Sequence, residues 1–357
     1  MIEKGRKRLN WVAAGLLALT AAGCAAPPGQ TPPPSEAPKT EETVPAAPEI
    51  NPADFQSWLQ GFRAEALQKG LKEETLDAAL AGVQPIPRVL ELDRKQPEFT
   101  LSFDDYVARV VSPARVQRGQ AMVAANRDLL AAVSQRYGVP IQHIAAMWGI
   151  ETDFGRVTGG FQIVPALATL AFDGRRSAYF RTELMNALTI ADKGLAPPEK
   201  LKGSWAGAMG QCQFMPSTYL KYGQSWDGNG KPDIWDQPAD VFASTANYLA
   251  GIGWKKDEIW GRAVKLPAGG IAPSLFGLDV SHSLTEWGKL GIVQNDGKPL
   301  EGEQMVSLIR AESGKNGDVG VGAPYVVGDN FRALMKWNRS TFFALAAGTL
   351  ADRLASK

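Results

Sequence analysis

The chain has 357 residues, of which 45% are hydrophobic and 21% charged, a composition typical of a globular protein with one or two domains. Its formal net charge of +1 excludes the strongly basic surface with which proteins bind nucleic acid. We therefore expect a folded protein with no nucleic-acid partner.

The N-terminus is typical of an export signal. Basic residues at 4–8 precede an apolar run at 11–22 that is too short to span a bilayer. The run ends in the letters AAGC, which resemble a bacterial lipobox. We therefore expect residues 1–23 to be a lipoprotein signal peptide and Cys24 to carry the lipid. The alternative is ordinary signal peptidase cleavage near Ala22, which would leave a secreted protein without an anchor.

Residues 24–48 are rich in proline and poor in aromatic residues, so we expect a polar tether that does not fold. The residue after the lipobox cysteine is Ala25, not the Asp associated with retention in the inner membrane. The sequence therefore favours a periplasmic lipoprotein that its lipid anchors to the outer membrane.

Helical patterns begin directly after the tether. Asn51 is suited to cap a helix that starts at Pro52. A second helix is predicted over 112–137, and a third begins at Pro140 and carries Glu151 on its apolar face. Further helices are predicted at 177–193, 214–222, 238–251 and 330–354.

Residues 262–327 differ in being rich in glycine and proline, with short alternating runs between turn signals. This pattern predicts a small β-containing subdomain inserted into a helical domain formed by 49–261 and 328–357. The expected fold class is therefore mainly α.

Glu151 lies in the segment GIETDFGR, at the end of an apolar helix. Apolar surroundings disfavour a charged carboxylate, so the pKa of Glu151 should rise and let it donate a proton near neutral pH. The alternative from this segment alone is a structural Glu that forms a salt bridge with Arg156. A second segment, 203–217, combines small residues with Gln and Ser donors and with apolar walls, a mixture that suits a sugar or a tight helix–helix turn.

Taken together, the segments resemble the membrane-bound lytic murein transglycosylase B family of the lysozyme-like superfamily. The matching stretches occur in the family's order and are GIETDFGR, ALATLAFDGRRSAYFRTEL, LKGSWAGAMGQCQFMPSTYLKY, DGNGKPDIWD, STANYL, GW and NRS.

The resemblance implies a lysozyme-like helical domain that binds peptidoglycan glycan strands. It implies cleavage of the β-1,4 bond between MurNAc and GlcNAc, with Glu151 acting first as acid and then as base, and with 1,6-anhydro-MurNAc ends as products. It places substrate-binding positions on Arg175, Arg176, Ser204, Gln213, Tyr248 and Asn338. Two further family positions, which carry tyrosine in relatives, are Trp337 and Phe343 here, so any hydrogen bond from a tyrosyl hydroxyl would be lost.

The residues agree with this implication in part. Ordinary glycosidases need two carboxyl groups beside the bond. The nearest candidate is Asp153, which would point away from the face of Glu151 if the helix continued through it. A single acid/base with an internal nucleophile needs no second carboxylate. Arg175 and Arg176 are suited to bind lactyl or peptide carboxylates, or else form a solvated surface pair.

Residues 225–236 resemble an EF-hand calcium loop. The predicted ligands are Asp227, Asn229, the Lys231 carbonyl and Asp236, while Ser225 stands at position 1 where Asp is usual. We expect a weak structural Ca²⁺ site; the alternative is an ordinary Asn-Gly turn. No cofactor is expected for the reaction.

Three functions therefore remain open on the sequence alone: a lytic transglycosylase, a lysozyme-type hydrolase, and a non-catalytic wall-binding lipoprotein. A nucleophilic Cys212 is disfavoured because the chain holds two His residues and no evident triad. We expect a monomer.

Overall fold

The computed structural model describes residues 50–94, 101–312 and 320–356. The signal peptide predicted for residues 1–23, the predicted lipidation site Cys24 and the tether predicted for 24–48 lie outside the described residues. None of the helices in the described ranges is both long and apolar enough to cross a membrane.

The described chain is mainly helical, as expected. Its helices are α1 (Pro52–Gln68), α2 (Glu73–Leu80), α3 (Pro87–Arg94), α4 (Phe103–Val110), α5 (Pro113–Ala125), α6 (Arg127–Tyr137), α7 (Ile141–Thr152), α8 (Ile163–Phe172), α9 (Ser177–Asp192), α10 (Pro216–Tyr222), α11 (Pro238–Gly251), α12 (Leu284–Lys289), α13 (Asp329–Trp337) and α14 (Thr341–Ala355). Its strands are β1 (Phe161–Gln162), β2 (Lys202–Gly203), β3 (Gly261–Lys265), β4 (His282–Ser283), β5 (Val293–Gln294), β6 (Met305–Glu312) and β7 (Val321–Val327).

The start of α1 follows the predicted capping. The Asn51 side chain accepts a hydrogen bond from the Ala53 backbone N–H, and Pro52 occupies the first turn, where its missing N–H costs nothing. Phe55 and Phe62 are fully buried on one face of the helix. The periodicity of the apolar residues therefore located this helix correctly.

Two long predicted helices are each broken in the structure. The helix expected over 112–137 divides into α5 and α6 at Asn126, whose side-chain amide donates to the Met122 carbonyl at 2.9 Å. Asparagine competes in this way with the backbone ladder, which favours a break. The helix expected over 330–354 divides into α13 and α14 at Asn338, whose backbone is extended, and the Ser340 hydroxyl then caps α14. Helices α2, α3, α4, α8 and α12 were not predicted.

Helix α7 lies at the centre of the helical unit, packed against α5, α6, α11 and α14. Its residues from His143 to Gly149 are buried. Gly149 lets the Phe154 ring pack directly against the backbone of α7, because a Cβ at position 149 would lie 2.6 Å from that ring. The C-terminal turn of this central helix carries Glu151.

An antiparallel five-stranded sheet lies between residues 261 and 327, in the order β4-β6-β7-β3-β5. Leu308 pairs with Val326 across its centre, and both side chains belong to a separate small core around the fully buried Trp287. The predicted β-containing unit is thus present in the fold. The boundaries at 49–261, 262–327 and 328–357 stay predictions.

Candidate active site

An open cleft of about 720 Å³ lies at the C-terminal end of α7. Five of the predicted site residues line it together: Glu151, Arg176, Gln213, Tyr248 and Asn338. They come from α7, the turn before α9, the loop before α10, α11, and the break between α13 and α14. Phe214, predicted as an apolar wall, and Trp337, noted as a family aromatic position, line the same cleft. Tyr179, Trp205 and Thr218 also line it and were not predicted.

Glu151 is the sole carboxyl among the described residues that line this cleft. Its Oε1 accepts a hydrogen bond from Trp337 Nε1 at 2.8 Å. Burial raises the pKa of Glu151 to about 8, although the indole hydrogen bond opposes this rise. The carboxyl is therefore mostly protonated at neutral pH and can act as a proton donor.

Asp153 does not line the cleft, but the reason is not the continued helix considered in the sequence analysis. Helix α7 ends at Thr152, and Asp153 adopts a left-handed conformation with φ of 52°. Its carboxylate pairs with three guanidinium groups, at 3.2 Å from Arg115, 2.9 Å from Arg118 and 2.9 Å from Arg156. Despite the opposing effect of burial, the contacts with Arg118 and Arg115 lower the pKa of Asp153. The alternative of an Arg156–Glu151 salt bridge is thus replaced by an Arg156–Asp153 pair.

The segment 203–217 folds into a tight loop beside Glu151. Gly203 allows this, since a Cβ there would lie 1.8 Å from the Ala208 carbonyl oxygen. Met209 and Phe214 exchange backbone hydrogen bonds of 2.8 and 3.1 Å. Between them Gln213 takes φ of 50°, and its Nε2 donates to the carbonyls of Thr158 and Gly210. A non-glycine residue held in this strained region is common at ligand sites.

Two other polar residues of the same loop form hydrogen bonds within the fold. The Ser204 hydroxyl is fully buried and accepts a hydrogen bond from the Ala208 N–H at 3.0 Å. Gln211 accepts from Trp148 Nε1 at 2.8 Å and donates to the Trp235 carbonyl at 2.7 Å. Neither is among the described residues that line the cleft. The loop's polar side chains are thus divided between the cleft and the contacts that hold it against α7.

The arginine pair is organised by a residue that the sequence did not indicate. Asp93, on α3, is almost completely buried and pairs with both Arg175 and Arg176. Arg176 also lies over the Phe180 ring, 4.8 Å from its centroid, and lines the cleft. Arg175 is half exposed and is not among the described lining residues. Of the two predicted arginines, Arg176 is thus the one whose side chain is among the described residues that line the cleft.

An aromatic stack forms one wall. Tyr248 lies between Trp337 and Tyr222, with ring centroids 4.6 Å from each and interplanar angles of 34° and 31°. Burial raises the pKa of Tyr248 to about 12, so its hydroxyl stays protonated. Phe343, the other aromatic position taken from the resemblance, is buried in the core. Aromatic faces beside hydrogen-bonding groups suit a ligand with apolar ring faces and polar edges, such as a sugar.

Cys212 lies close by but is not reactive. Its side chain is buried, its thiol donates to the Val241 carbonyl at 3.5 Å, and the Thr245 hydroxyl donates to its sulfur. Burial raises the pKa of the thiol to about 12, which keeps it from forming the nucleophilic thiolate.

The loop 225–236 brings part of the predicted calcium ligand set together. The Ser225 hydroxyl lies 2.7 Å from Asp227 Oδ1 and 3.0 Å from Asn229 Oδ1. Asp236 is turned instead to Lys200, whose ammonium lies 3.0 Å from its carboxylate. Among the described residues no cluster of three or more His, Cys, Asp or Glu side chains could hold a metal. The oxygens of positions 1, 3 and 5 fit a hard cation, and the position-12 arm would have to leave Lys200 to join them.

These observations define a class: a mainly helical protein with one acid, held at the end of a central helix, in a cleft with an aromatic wall. Comparison with known proteins then identifies the family. The model of the transglycosylase SLT domain family matches residues 54–352. The chain is 38% identical over 253 residues to membrane-bound lytic murein transglycosylase B of Escherichia coli (strain K12), a match that covers 70% of this chain and 66% of that relative.

Solved structures agree. SltB3 from Pseudomonas aeruginosa in complex with NAG-anhNAM-pentapeptide has a TM-score of 0.79 and 41% identity, covering 85% of this chain and 80% of that one. Slt35 of Escherichia coli in complex with calcium has a TM-score of 0.68 and 32% identity, covering 85% of this chain and 93% of that one. The chain belongs to the transglycosylase SLT domain family, and its fold is lysozyme-like, which confirms the resemblance drawn from the motifs.

Proposed function

We propose that this protein is a lytic transglycosylase that cleaves the β-1,4 bond between MurNAc and GlcNAc in peptidoglycan and leaves 1,6-anhydro-MurNAc ends. The observation that carries the proposal is Glu151, a carboxyl whose pKa is about 8 in the cleft described above. The complex of SltB3 with NAG-anhNAM-pentapeptide supports it, because a 41% identical relative binds a ligand of the product's kind.

In this mechanism the protonated Glu151 donates to the glycosidic oxygen as the bond from C1 breaks. The resulting carboxylate takes the proton from the C6 hydroxyl of MurNAc while O6 bonds to C1. Atoms balance without water, and Glu151 returns to its acid form. An ordinary glycosidase needs a second carboxylate as nucleophile or as base for water. Asp153 is bound to its arginines, so the substrate's own hydroxyl is the nucleophile that the site favours.

The cleft residues then have distinct roles. Tyr248 and the aromatic stack contact the sugar faces, while Gln213 and Asn338 bind polar edges. Arg176 contacts a lactyl or peptide carboxylate, and Asp93 holds its guanidinium in place. Arg175, next to Arg176 in the chain and also paired with Asp93, and Ser204, whose hydroxyl holds the loop beside the cleft, complete the proposed substrate-binding set.

The test is digestion of purified sacculi with the full chain, followed by mass spectrometry of the released muropeptides. We expect 1,6-anhydro ends from the wild type and no release by Glu151→Gln. Reducing ends would establish the lysozyme-type hydrolase instead. Binding to sacculi without release would establish the non-catalytic wall-binding lipoprotein. Release by Glu151→Gln at the wild-type rate would refute the assignment of the acid.

We further propose that the loop 225–236 binds a structural Ca²⁺ through Asp227, Asn229, the Lys231 carbonyl and Asp236. The complex of the relative Slt35 with calcium supports this proposal. Millimolar Ca²⁺ should raise the melting temperature of the wild type and leave that of Asp227→Ala unchanged. An equal rise in both proteins would refute a site in this loop.

Finally, we propose that the protein is a periplasmic monomer and that Cys24 carries a lipid that anchors it to the outer membrane. In this proposal residues 49–261 and 328–357 form one catalytic domain, into which the β-containing subdomain 262–327 is inserted. The membrane-bound relative from Escherichia coli supports the anchoring. Labelled palmitate should enter the wild type but not Cys24→Ala, and the labelled protein should sediment with outer membranes. Labelling of Cys24→Ala, or sedimentation of the wild type with inner membranes, would overturn the corresponding part.

A further inference from the structure

The contact between Trp337 and Glu151 is unusual in its chemistry. The indole Nε1–H donates to Glu151 Oε1 at 2.8 Å. An indole has one N–H donor and no acceptor for a hydrogen bond in its plane, unlike a tyrosyl or seryl hydroxyl, which can either donate or accept. Trp337 can therefore donate to this oxygen but cannot accept a proton from it.

This asymmetry distinguishes the two carboxyl oxygens. In a carboxylic acid the oxygen that carries the proton keeps a lone pair but is a weaker hydrogen-bond acceptor than the carbonyl oxygen. The indole hydrogen bond is therefore strongest when Oε1 is the carbonyl oxygen of the acid or an oxygen of the carboxylate. It favours the form of the neutral acid whose proton lies on Oε2.

The indole is also held in place. It stacks on Tyr248 at 4.6 Å between centroids and meets the Phe214 ring at 5.5 Å and 60°. Trp337 ends α13 directly before the extended Asn338, so the helix end and the aromatic stack both fix its direction. A side chain constrained in this way can hold a carboxyl in one rotamer.

We propose that Trp337 is a positioning residue that confines the reactive proton of Glu151 to Oε2, so that this one oxygen performs both proton transfers. The proton leaves Oε2 for the glycosidic oxygen, and Oε2 then takes the proton of the C6 hydroxyl, while Oε1 stays bound to the indole throughout. The inference rests on the proposed function of Glu151 as acid and base, and it adds which oxygen reacts and what selects it.

Neutron diffraction from deuterated crystals grown at pD 6, below the pKa of the acid, tests the proton's location without any turnover. We expect a deuteron on Glu151 Oε2 and the indole deuteron directed at Oε1. A deuteron on Oε1, or an indole N–D turned away from the carboxyl, would overturn the proposal even if the enzyme cleaves peptidoglycan as proposed.

Kinetics supply the second test, in the pH dependence of muropeptide release. Because activity needs the protonated acid, the rate should fall as pH rises above the pKa of Glu151. Trp337→Phe removes a hydrogen-bond donor to the carboxylate and so raises the pKa of Glu151. The basic limb of the profile, where the rate falls with rising pH, should therefore move up by about one pH unit, and kcat should fall about tenfold or more. Trp337→Tyr restores a donor and should return the limb toward its wild-type position.

Trp260→Phe is a matched control. Trp260 Nε1 also donates to a partly buried carboxylate, that of Asp352, at 3.2 and 3.3 Å, but Trp260 is not among the cleft residues. Its pH profile should match the wild type. A basic limb that does not move in Trp337→Phe, or that moves equally in Trp260→Phe, would refute the positioning role. Trp337 would then only line the cleft. Wild-type protein that releases nothing would instead refute the proposed function.

Discussion

Replacement of Glu151 by glutamine should stabilise the protein while it removes activity. Burial raises the pKa of this carboxyl from its ordinary value of 4.5 to about 8 in the folded state. The unfolded chain is thus free to lose a proton that the folded chain must keep. The wild-type carboxyl therefore costs stability wherever the unfolded state is ionised, and a neutral amide of the same shape carries no such cost.

The size of the effect follows from the two pKa values. A carboxyl whose pKa is raised by folding has no effect on the free energy of unfolding below its unfolded pKa. As pH rises from the unfolded pKa toward the folded pKa, it lowers that free energy progressively. Relative to Glu151→Gln, the wild type should be less stable by about 1 kcal/mol at pH 5, about 3 kcal/mol at pH 7 and about 5 kcal/mol above pH 9. The amide oxygen can still accept from Trp337, so the hydrogen bond is retained.

Urea unfolding of both proteins at several values of pH between 5 and 9 measures this difference directly. The variant should be more stable at every pH, with an advantage that widens as pH rises, and its melting temperature at pH 7 should be higher by roughly 5 °C or more. An advantage that is constant with pH, or a variant less stable than the wild type, would show that the carboxyl is not held neutral by burial.

Three further perturbations test the surroundings of the site. Asp153→Asn removes the counter-charge of three arginines at a side chain that is 12% exposed, and should lower the free energy of unfolding by about 3 kcal/mol at pH 7 in urea titrations, since half of a paired charge group is left behind. His143 is buried with no hydrogen-bond partner for either ring nitrogen among the described residues, and burial lowers its pKa to about 4. As pH falls below 6.5, the unfolded chain therefore takes up a proton on this ring before the folded chain does. Relative to His143→Phe, the free energy of unfolding measured in urea should fall by about 3 kcal/mol at pH 4. Gly348→Ala would place a Cβ 2.3 Å from the Trp260 ring, so calorimetry should show a loss of about 1–3 kcal/mol, whereas the open position Gly160, which has nothing within 4 Å, should tolerate alanine with little change.

The sequence predicted those parts of the fold that depend on local chemistry. The cap at Asn51, the span of α11 and the end of α6 at Gly138, where φ is 70°, all follow from residues beside them in the chain. The breaks at Asn126 and Asn338 did not follow, because both residues interrupt apolar patterns that continue on either side. Asparagine within a helical pattern is a weak signal for a break, and tertiary packing decides whether the helix ends there.

For the candidate active site, the sequence predicted several of its residues but not how they are arranged. Glu151 and Tyr248 were placed in one cleft by motif, and the structure brings them together. The partnership of Asp93 with the arginine pair joins residues more than 80 positions apart, and no periodicity encodes such a contact. Trp337 was noted for the tyrosyl hydroxyl it lacks, whereas its indole N–H forms the hydrogen bond to the acid.

Two carboxyl groups, two residues apart, thus have opposite environments, and this contrast determines which chemistry the cleft can perform. Burial raises the pKa of Glu151 to about 8 against the opposing hydrogen bond from Trp337. Burial would also raise the pKa of Asp153, but its contacts with Arg118 and Arg115 lower it. The left-handed turn that ends α7 separates them, because it directs the second side chain toward α5 and away from the cleft. Among the described residues that line the cleft, Glu151 has no second carboxylate beside it to attack C1 or to activate water. This arrangement supports the proposed reaction, in which the substrate's own hydroxyl forms the new bond to C1.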